Sequence, residues 1–306
     1  MPREPVAFLD GDWIPPQELC IPATDAGFVL GITVAEQMRT FGGRLFRADE
    51  HLRRLEHSLR IVGVTPGYSA GELQTLAEEL VDRNYPLLAE GDDLGLSLFV
   101  TPGPYSTFHP EGGNPLVGMH TYPLAFQLWA DRYDAGQTLM VTEVTQVPGS
   151  CWPAELKCRS RMHYHLADQR ARQMEAGSRA LLLDTEGCVS EASTANVVIY
   201  RQGEGVVSPP SEAILPGISV AVLRELAERH GISFVHRPLH VADVLSADEV
   251  WLTSTSPCLL PVTRCNRLPI GKGEPGPVGK QLLSAWSDLV GLDIRQQALQ
   301  FARRTR

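Results

Sequence analysis

The sequence predicts a two-domain α+β fold. Its 306 residues are too many for one ordinary core and suit two domains. Strand-like runs alternate with amphipathic helical stretches, and Asp-Gly or Glu-Gly pairs between runs are typical of antiparallel connections. A polar stretch, "ADRYDAG" at 130–136, separates the halves. We therefore expect a small N-terminal domain over 1–129 and a larger C-terminal domain over 130–306, with Lys157 in the second.

The first half begins with a hairpin signal, Asp10-Gly11 between the apolar runs of "VAFLDGDWIP". The next element is a helix with one apolar face, and Asp49 is expected to cap its N-terminus. Its apolar positions are Leu52, Leu55, Leu59 and Val62. A second helix over about 70–84 and a strand that leads into a Pro/Gly-rich loop complete this half.

The second half is predicted to contain both helices and antiparallel strands. The elements expected after the hinge are a helix over about 159–176 that Gly177 stops, strands and turns over 179–210, a helix between Pro216-Gly217 and Gly231, two more strands, and a last helix near 277–292. No internal repeat or low-complexity segment interrupts this order. The pattern predicts α+β domains throughout.

Composition excludes several classes of protein. Hydrophobic residues make up 43% and charged residues 21%, as in globular proteins, and a net charge of −9 argues against broad attraction to nucleic acid. No apolar run reaches the ~18 residues of a membrane span, and the start lacks the apolar core of a signal peptide. The six cysteines form no metal-site spacing and are expected to be free thiols. We expect a cytoplasmic protein.

A lysine stands out in this chain, because only three of its 27 basic residues are lysines. Lys157 lies in "PAELKCRSRMHYH", beside apolar residues and two arginines. It is either a solvated lysine at a helix entrance or an amine whose neighbours favour the neutral, imine-forming state. Lys272 and Lys280 lie in "GKGEPGPVGK", which lacks the spacing of a nucleotide-binding loop.

Three other features could bind a small anion or a polar ligand. Glu191 follows a strand among small residues, where it either ends the strand in solvent, as the strand period favours, or faces a buried cation. The helix after Pro216-Gly217 offers the amides of Ile218 and Ser219, a possible anion site or simply a well-capped start. The hydroxyl run 253–256 after a buried strand is either a turn or a phosphate contact.

Five motifs, in order, resemble those of the class IV, fold-type IV pyridoxal-phosphate enzymes. This family includes branched-chain aminotransferases, D-amino acid aminotransferases and aminodeoxychorismate lyases. The resemblance covers about 6–290. The motifs are "GITVAEQMR" (31–39), "HLRRL" (51–55), the set Asp184, Gly187, Val189, Glu191, Ser193 and Asn196, "LPGIS" (215–219), and Thr253-Ser254-Thr255 followed by Pro261-Val262.

The resemblance implies a homodimer with pyridoxal 5′-phosphate between two α+β domains. Lys157 would bind the cofactor as a Schiff base and then move a proton between the substrate Cα and the cofactor. Glu191 would keep the pyridine nitrogen protonated. Arg54, the amides of Ile218 and Ser219, and Thr255 would hold the phosphate. The full set of implied cofactor-binding residues is Arg54, Lys157, Tyr164, Glu191, Ser193, Thr194, Ile218, Ser219, Ser254 and Thr255.

The sequence departs from the family pattern at substrate positions. Met162 stands five residues after the lysine, where the family places a tyrosine that reaches the cofactor, and Tyr164 comes two residues later. Ala35 replaces the aromatic before the motif glutamate, and Pro102 replaces a loop arginine. Arg159 or Arg161 is a candidate for contact with the substrate carboxylate.

The resemblance implies transfer of an amino group between an amino acid, branched-chain among the candidates, and a 2-oxo acid. One alternative is aminodeoxychorismate lyase, which uses the same cofactor to release pyruvate. The other is a non-catalytic relative that binds the cofactor. No nucleic-acid or membrane partner is expected.

Overall fold

The computed structural model describes residues 4–304, and its first strands form the predicted hairpin. β1 (Ala7–Leu9) pairs antiparallel with β2 (Asp12–Ile14). Asp10 and Gly11 between them have φ of 46° and 104°. Positive φ at both central residues is typical of the two-residue turns that match strand twist.

The N-terminal group of elements continues with an antiparallel sheet and two long helices. Its remaining elements are α1 (Ala26–Val29), β3 (Val34–Phe41), β4 (Arg44–Leu45), α2 (Ala48–Val62), α3 (Ala70–Asn84), β5 (Leu94–Thr101) and β6 (Leu116–Pro123). The strand order is β2-β1-β6-β5-β3-β4. The predicted apolar face of α2 is buried with one face of this sheet in a single hydrophobic core.

α2 begins differently from the prediction. Its N-cap residue is Arg47, in the left-handed conformation with φ 56°, and Asp49 lies within the first turn. The Asp49 carboxylate accepts a hydrogen bond from Arg53, one turn later in the helix. The prediction that Asp49 caps the helix is therefore wrong, because its side chain binds a neighbouring cation instead of a first-turn amide.

The remaining elements form a second, larger sheet with helices. They are α4 (Arg132–Ala135), β7 (Gln137–Val141), α5 (Met162–Met174), β8 (Arg179–Leu183), β9 (Val189–Ala192), β10 (Ala195–Arg201), β11 (Gly205–Ser208), α6 (Ile218–Arg229), β12 (Phe234–His236), α7 (Val241–Leu245), β13 (Glu249–Ser254), β14 (Cys258–Cys265), β15 (Leu268–Pro269), α8 (Pro277–Val290) and α9 (Ile294–Phe301). The strand path is β12-β11-β10-β13-β14-β7-β8-β9, with β15 paired to β14.

The second sheet closes on itself. β9 pairs with β8 and also with β10, so the path from β10 to β9 forms a ring of strands. Three pairs are parallel, β11 with β12, β14 with β7, and β7 with β8, whereas the sequence predicted antiparallel connections. The ring closure sets Glu191 on β9 directly opposite Asn196 on β10.

Besides the short α4 and α7, which were not predicted, two helices of the second half differ from the prediction. α5 begins at Met162 rather than near 159, because the preceding segment stays extended and Cys158 bridges Val34 of β3. The chain also adds α9 after the last predicted helix, and the Asp293 side chain caps it by accepting from the Gln296 amide.

The chain divides into two compact units. The first unit contains the residues up to Leu124 together with Leu156–Ser160, and the second contains Ala125–Glu155 and the residues from Arg161 onward. The boundary therefore precedes the predicted one at 129/130, and Lys157 groups with the first unit. Its carbonyl accepts a hydrogen bond from the amide of Ala35 on β3.

Within residues 4–304, no helix combines the length and apolar character that crossing a bilayer requires. The same residues hold no cluster of three or more His, Cys, Asp or Glu side chains arranged to bind a metal ion.

Candidate active site

Lys157 lies on a backbone segment that the first unit fixes at several points. Its carbonyl accepts from the Ala35 amide at 3.2 Å, and its amide donates to Ser58 Oγ of α2 at 3.1 Å. Two residues later, the Arg159 amide donates to the Thr33 carbonyl at 2.8 Å. Lys157 is half-buried, so a solvated lysine at a helix entrance does not describe it. The hydrogen bonds hold the backbone of this segment against the edge of β3.

A buried ion pair lies close to this segment in the same unit. Arg54 on α2 donates from Nε to Glu36 Oε1 at 2.8 Å and from Nη2 to Oε2 at 2.9 Å. His51, one helical turn before Arg54, contacts Oε2 through Nδ1 at 2.8 Å. Glu36 is fully buried, and Arg54 is 8% exposed. This bidentate pair fixes the plane of the guanidinium.

The charges of this group are set by burial and by one another. Burial raises the pKa of Glu36, but the charge of Arg54, hydrogen bonds from His51 and Arg54, and the charge of Lys157 together hold it well below its usual range. Burial lowers the pKa of His51, and this effect outweighs the opposing influence of Glu36. Glu36 is therefore ionised at neutral pH, and a neutral His51 can donate its Nδ1 hydrogen to the carboxylate.

Glu191 is the centre of a hydrogen-bond network in the second unit. Oε1 accepts from the Leu215 amide at 2.7 Å and from Asn196 Nδ2 at 2.9 Å. Oε2 accepts from the Tyr164 hydroxyl at 2.7 Å and from Gln146 Nε2 at 3.3 Å. Only 4% of Glu191 is exposed. The strand-period interpretation that this carboxylate ends a strand in solvent is therefore wrong.

Tyr164 belongs to this network, although it stands two residues beyond the position that the resemblance indicates. Met162, at the indicated position, is the first residue of α5 and is 70% exposed. Burial and the charge of Glu191 raise the pKa of Tyr164 far above its ordinary value. The phenol therefore stays protonated and serves as a hydrogen-bond donor to the carboxylate.

The N-terminus of α6 lies directly beside the Glu191 network. Gly217 is its N-cap residue and provides no side-chain cap. A Cβ at Gly217 would lie 2.1 Å from Asn196 Oδ1, so only glycine fits against this amide. The amides of Val220 and Ala221 donate to the Gly217 carbonyl, and they begin the hydrogen-bond pattern of the helix in the described part of the chain. The preceding amides of Ile218 and Ser219 point along the helix axis, where the helix dipole favours an anion.

The hairpin turn between β9 and β10 carries two further predicted residues. Ser193 is buried and donates from Oγ to Asp168 of α5 at 2.7 Å. Thr194 has a positive φ of 62°, which is strained for a β-branched residue, and Arg179 binds its Oγ1 at 3.2 Å. Arg179 also donates to the Ser193 carbonyl. These contacts hold the turn in one conformation.

Ser254 and Thr255 stand at the end of β13, in the hairpin that leads to β14. Ser254 is the last residue of the strand and pairs with Cys258 across the turn, and both hydroxyl residues are half-buried. Next to them, the buried Thr253 Oγ1 has no hydrogen-bond partner among the described residues. A polar ligand at this turn would meet a row of hydroxyl groups.

Several residues of these networks were not assigned a role from sequence. Glu36 and Asn196 stand inside the quoted motifs, so their positions carried a signal. Gln146 and Arg179 lie outside the quoted motifs, so no sequence pattern marked them. Their contacts with Glu191 and with the 193–194 turn form only in the folded second unit.

Comparisons with known proteins identify the family. Residues 33–265 match the family model described as amino-transferase class IV. A D-alanine aminotransferase of Bacillus licheniformis is 30% identical over 270 residues, 88% of this chain and 91% of that protein. A probable branched-chain-amino-acid aminotransferase of Aquifex aeolicus is 26% identical over 291 residues, 90% of this chain and 89% of the relative.

Solved structures agree on the fold. The branched-chain aminotransferase of the archaeon Thermoproteus uzoniensis, solved with norvaline, superposes with a TM-score of 0.83 at 22% identity and covers 94% of each chain. The corresponding enzyme of Escherichia coli gives 0.82 at 22% identity, also over 94% of each chain. Another branched-chain enzyme of this fold, with a TM-score of 0.84 at 23% identity over 94% of each chain, was solved with pyridoxamine 5′-phosphate. With the family match extending over most of its length, the chain belongs to the class IV aminotransferases and is a pyridoxal-phosphate-dependent transaminase.

Proposed function

We propose that this enzyme transfers the amino group of a small amino acid to a 2-oxo acid, with Lys157 as the catalytic amine and Glu191 as the partner of the coenzyme nitrogen. The observation that carries the assignment is the Glu191 network. Four donors surround a buried carboxylate, from Leu215, Asn196, Tyr164 and Gln146. Hydrogen-bond donors around a carboxylate stabilise its ionised form, which is the form that would pair with a protonated ring nitrogen.

The residues present fit pyridoxal phosphate by their chemistry. The coenzyme has an aldehyde, a basic ring nitrogen and a phosphate, and the chain offers an amine, a buried carboxylate, and both a guanidinium and a helix N-terminus. When bound, the coenzyme supplies a conjugated ring that accepts the electron pair left at the substrate Cα. Glu191 would hold a proton on the ring nitrogen and so favour that acceptance.

Lys157 would hold the aldehyde carbon covalently through Nζ. The same Nζ would act as the general base that removes the proton from the substrate Cα and then as the acid that returns a proton. The hydrogen bonds of the Lys157 backbone with Ala35 and Ser58 fix the position from which its side chain extends. Positioning of this kind reduces the entropy lost on reaction.

For the phosphate we propose Arg54, the amides of Ile218 and Ser219, and the hydroxyl groups of Ser254 and Thr255. A guanidinium has five N–H donors, and Glu36 accepts from Nε and Nη2 of Arg54, which orients the group. The first turn of α6 adds backbone amides and the positive end of the helix dipole. Ser193 and Thr194 would support this site through the turn that Arg179 and Asp168 hold.

We propose D-alanine as the first amino donor to test, since a D-alanine aminotransferase is 30% identical over 88% of this chain. Branched-chain amino acids are the second candidate, supported by the probable branched-chain relative at 26% identity. We further propose a homodimer, by analogy with the family, and a reducing compartment such as the cytoplasm, which six free cysteines favour.

The test is a donor screen with the purified holoenzyme and 2-oxoglutarate. Both enantiomers of alanine, leucine and valine are supplied, and glutamate formation is followed with its enantiomer resolved. Turnover with D-alanine supports the first proposal, and turnover with L-leucine or L-valine supports the second. Pyruvate release from aminodeoxychorismate, with no glutamate formed from any donor, would replace transamination by the lyase reaction. Size-exclusion chromatography with light scattering checks the dimer.

A further inference from the structure

One face of the first sheet carries a polar row between two aromatic borders. In register across β3, β5 and β6, Gln37 lies opposite Ser97, and Ser97 lies opposite His120. Directly opposed residues in antiparallel strands share a face, so these three side chains stand side by side. Ser97 is buried, and the other two are half-buried.

Aromatic rings lie against the sheet on both sides of this row. A Cβ at Gly95 would come within 2.3 Å of the Tyr122 ring, and one at Gly118 within 2.2 Å of the Phe99 ring. Each ring therefore lies against a glycine, where a larger residue would clash with it. The polar row is bordered by apolar surface, which strengthens electrostatic contacts made there compared with open water.

The Arg159 side chain reaches into this row. Its Nη2 donates to Ser97 Oγ at 2.7 Å and to Gln37 Oε1 at 3.5 Å. Gln37 is fixed in turn, because its Nε2 donates to the Tyr122 hydroxyl at 2.6 Å. The two acceptors are uncharged oxygens, and these bonds orient the guanidinium.

The charge of Arg159 influences the pKa values of two neighbouring side chains, His120 and Tyr122. Burial lowers the pKa of His120, and Arg159 lowers it further. Burial raises the pKa of Tyr122, while the hydrogen bond with Gln37 and the charge of Arg159 oppose that rise. His120 is therefore neutral at neutral pH.

Arg159 and the catalytic amine are carried by one rigid segment. The Lys157 carbonyl and the Arg159 amide are both hydrogen-bonded to the stretch that enters β3, through Ala35 and Thr33. A substrate whose amino group reacts at Lys157 therefore meets a guanidinium two residues along the same segment. The sequence has Pro102 where the family resemblance places a loop arginine, so that position offers no guanidinium in this chain.

We propose that Arg159 binds a carboxylate of the amino-acid substrate and so determines substrate specificity, with Ser97 and Gln37 as the residues that position it. The proposal rests on the transaminase function assigned above. The ligand chemistry is a carboxylate held by a planar guanidinium, either the α-carboxylate shared by all amino acids or the second carboxylate of an acidic one. Arginine suits this role because its fork matches two carboxylate oxygens.

The experiment compares Arg159→Gln, Arg159→Lys and Arg161→Gln with the wild-type holoenzyme. Arg53→Gln, a substitution of an exposed arginine on α2, is the matched control. Isothermal titration calorimetry measures the affinity for propionate and for succinate, which bind without reacting. Steady-state kinetics gives KM and kcat for the best donor. Thermal unfolding checks that each variant keeps its fold.

We expect Arg159→Gln to weaken carboxylate affinity and raise KM roughly tenfold to a hundredfold, the range of a charge-assisted hydrogen bond, with a smaller change in kcat. Arg159→Lys should retain part of the affinity because it keeps the charge but loses the fork. Equal loss for propionate and succinate assigns the α-carboxylate, and loss for succinate alone assigns the second carboxylate. A purely structural role would lower thermal stability without this carboxylate dependence.

Three results overturn the proposal: no measurable carboxylate binding by the wild type, a change of less than twofold in Arg159→Gln, or the full loss in Arg161→Gln instead. Failure of the proposed function is a separate result. If the wild type transaminates no donor, the proposed function fails, and propionate affinity still tests Arg159. If the wild type is active and Arg159→Gln has unchanged carboxylate affinity and KM, only the inference about Arg159 is refuted.

Discussion

The Tyr164 hydroxyl donates a hydrogen bond to Glu191 Oε2 at 2.7 Å, although α5 and β9 are separated in sequence by a strand and its connections. The phenol is buried and protonated, and the carboxylate is buried and accepts from four donors. This bond fixes one oxygen of Glu191, while Asn196 and the Leu215 amide fix the other. The orientation of the Glu191 carboxylate is therefore fixed before any ligand binds.

Replacement of Tyr164 by Phe tests how much this bond contributes. A hydrogen bond to a charged group contributes about 1.5–3 kcal/mol, so the free energy of unfolding in urea should fall by that amount. Tyr200→Phe is the control, since the Tyr200 ring on β10 stacks on Trp251, and its unfolding free energy should fall much less. An unaltered stability for Tyr164→Phe would mean that Gln146 or water takes over the contact without loss.

Substitution of Lys157 by Ala should abolish both covalent attachment of the coenzyme and turnover. Borohydride treatment followed by peptide mass analysis should find the modified lysine in the wild type and none in the variant. The fold should persist, with a change in unfolding free energy below about 1 kcal/mol, since a half-buried side chain is shortened without loss of its backbone bonds. Lys272→Ala, at an exposed lysine, is the control. Measurable transamination by Lys157→Ala would refute the role assigned to this amine.

Glu191→Gln should separate coenzyme binding from catalysis. The amide can still accept from some of the donors around it, so covalent attachment at Lys157 should survive. A neutral side chain no longer favours a proton on the ring nitrogen, so kcat should fall by about a hundredfold or more, as when a preorganised charge interaction is removed. Glu186→Gln, at an exposed position in the preceding turn, should act like the wild type. A kcat within a few-fold of wild type would place the nitrogen partner elsewhere.

The parts predicted correctly from sequence are those with local signals. The Asp10-Gly11 turn, the apolar face of α2 and the helix after Gly217 each follow from short patterns, and all are present. Lys157, Glu191 and Arg54 were named as candidate site residues because ordered motifs surround them, and their roles stay predictions. Local patterns could not show that the Lys157 segment would stay extended against β3, since that depends on Ala35 and Ser58, far away in the chain.

The same limit explains the parts that were not predicted. Tyr164 reaches Glu191 because α5 starts late, at Met162, and no periodicity in "RSRMHYH" distinguishes that start from one near 159. β7 and β8 are parallel because a crossover that contains α5 joins them, and β14 pairs with β7 from far along the chain, so no turn sequence signals either pair. Gln146 contacts Glu191 across 45 residues of sequence, so no local pattern signals that it belongs to the network.

Gly217→Ala tests the packing of the α6 N-terminus against the network. The new Cβ would lie 2.1 Å from Asn196 Oδ1, so the amide must move and its bonds to Glu191 Oε1 and to the Leu215 carbonyl should weaken. We expect a loss of about 1–3 kcal/mol in unfolding free energy, together with weaker coenzyme binding. Gly149→Ala, whose Cβ would meet no atom within 4 Å, is the matched control. Equal stability of the two variants would show that Asn196 moves without cost.

The buried pair of Glu36 and Arg54 predicts an acid-sensitive part of the stability. The folded-state pKa of Glu36 lies below its ordinary value of 4.5, so the unfolded chain takes up this proton first as the pH falls. The stabilisation by the ionised carboxylate is therefore complete above about pH 5.5 and decreases progressively as the pH falls below 4.5 toward the lower folded value.

The variant Glu36→Gln removes this titration. At neutral pH it leaves Arg54 without its buried counter-charge, and we expect a loss of about 3–5 kcal/mol. The difference in unfolding free energy between wild type and variant should shrink from pH 7 to pH 3, measured by urea denaturation at each pH. Glu78→Gln, at an exposed position on α3, controls for the general acid response. A difference that stays constant with pH would show that Glu36 does not hold the ionised state that its contacts with Arg54 and His51 require.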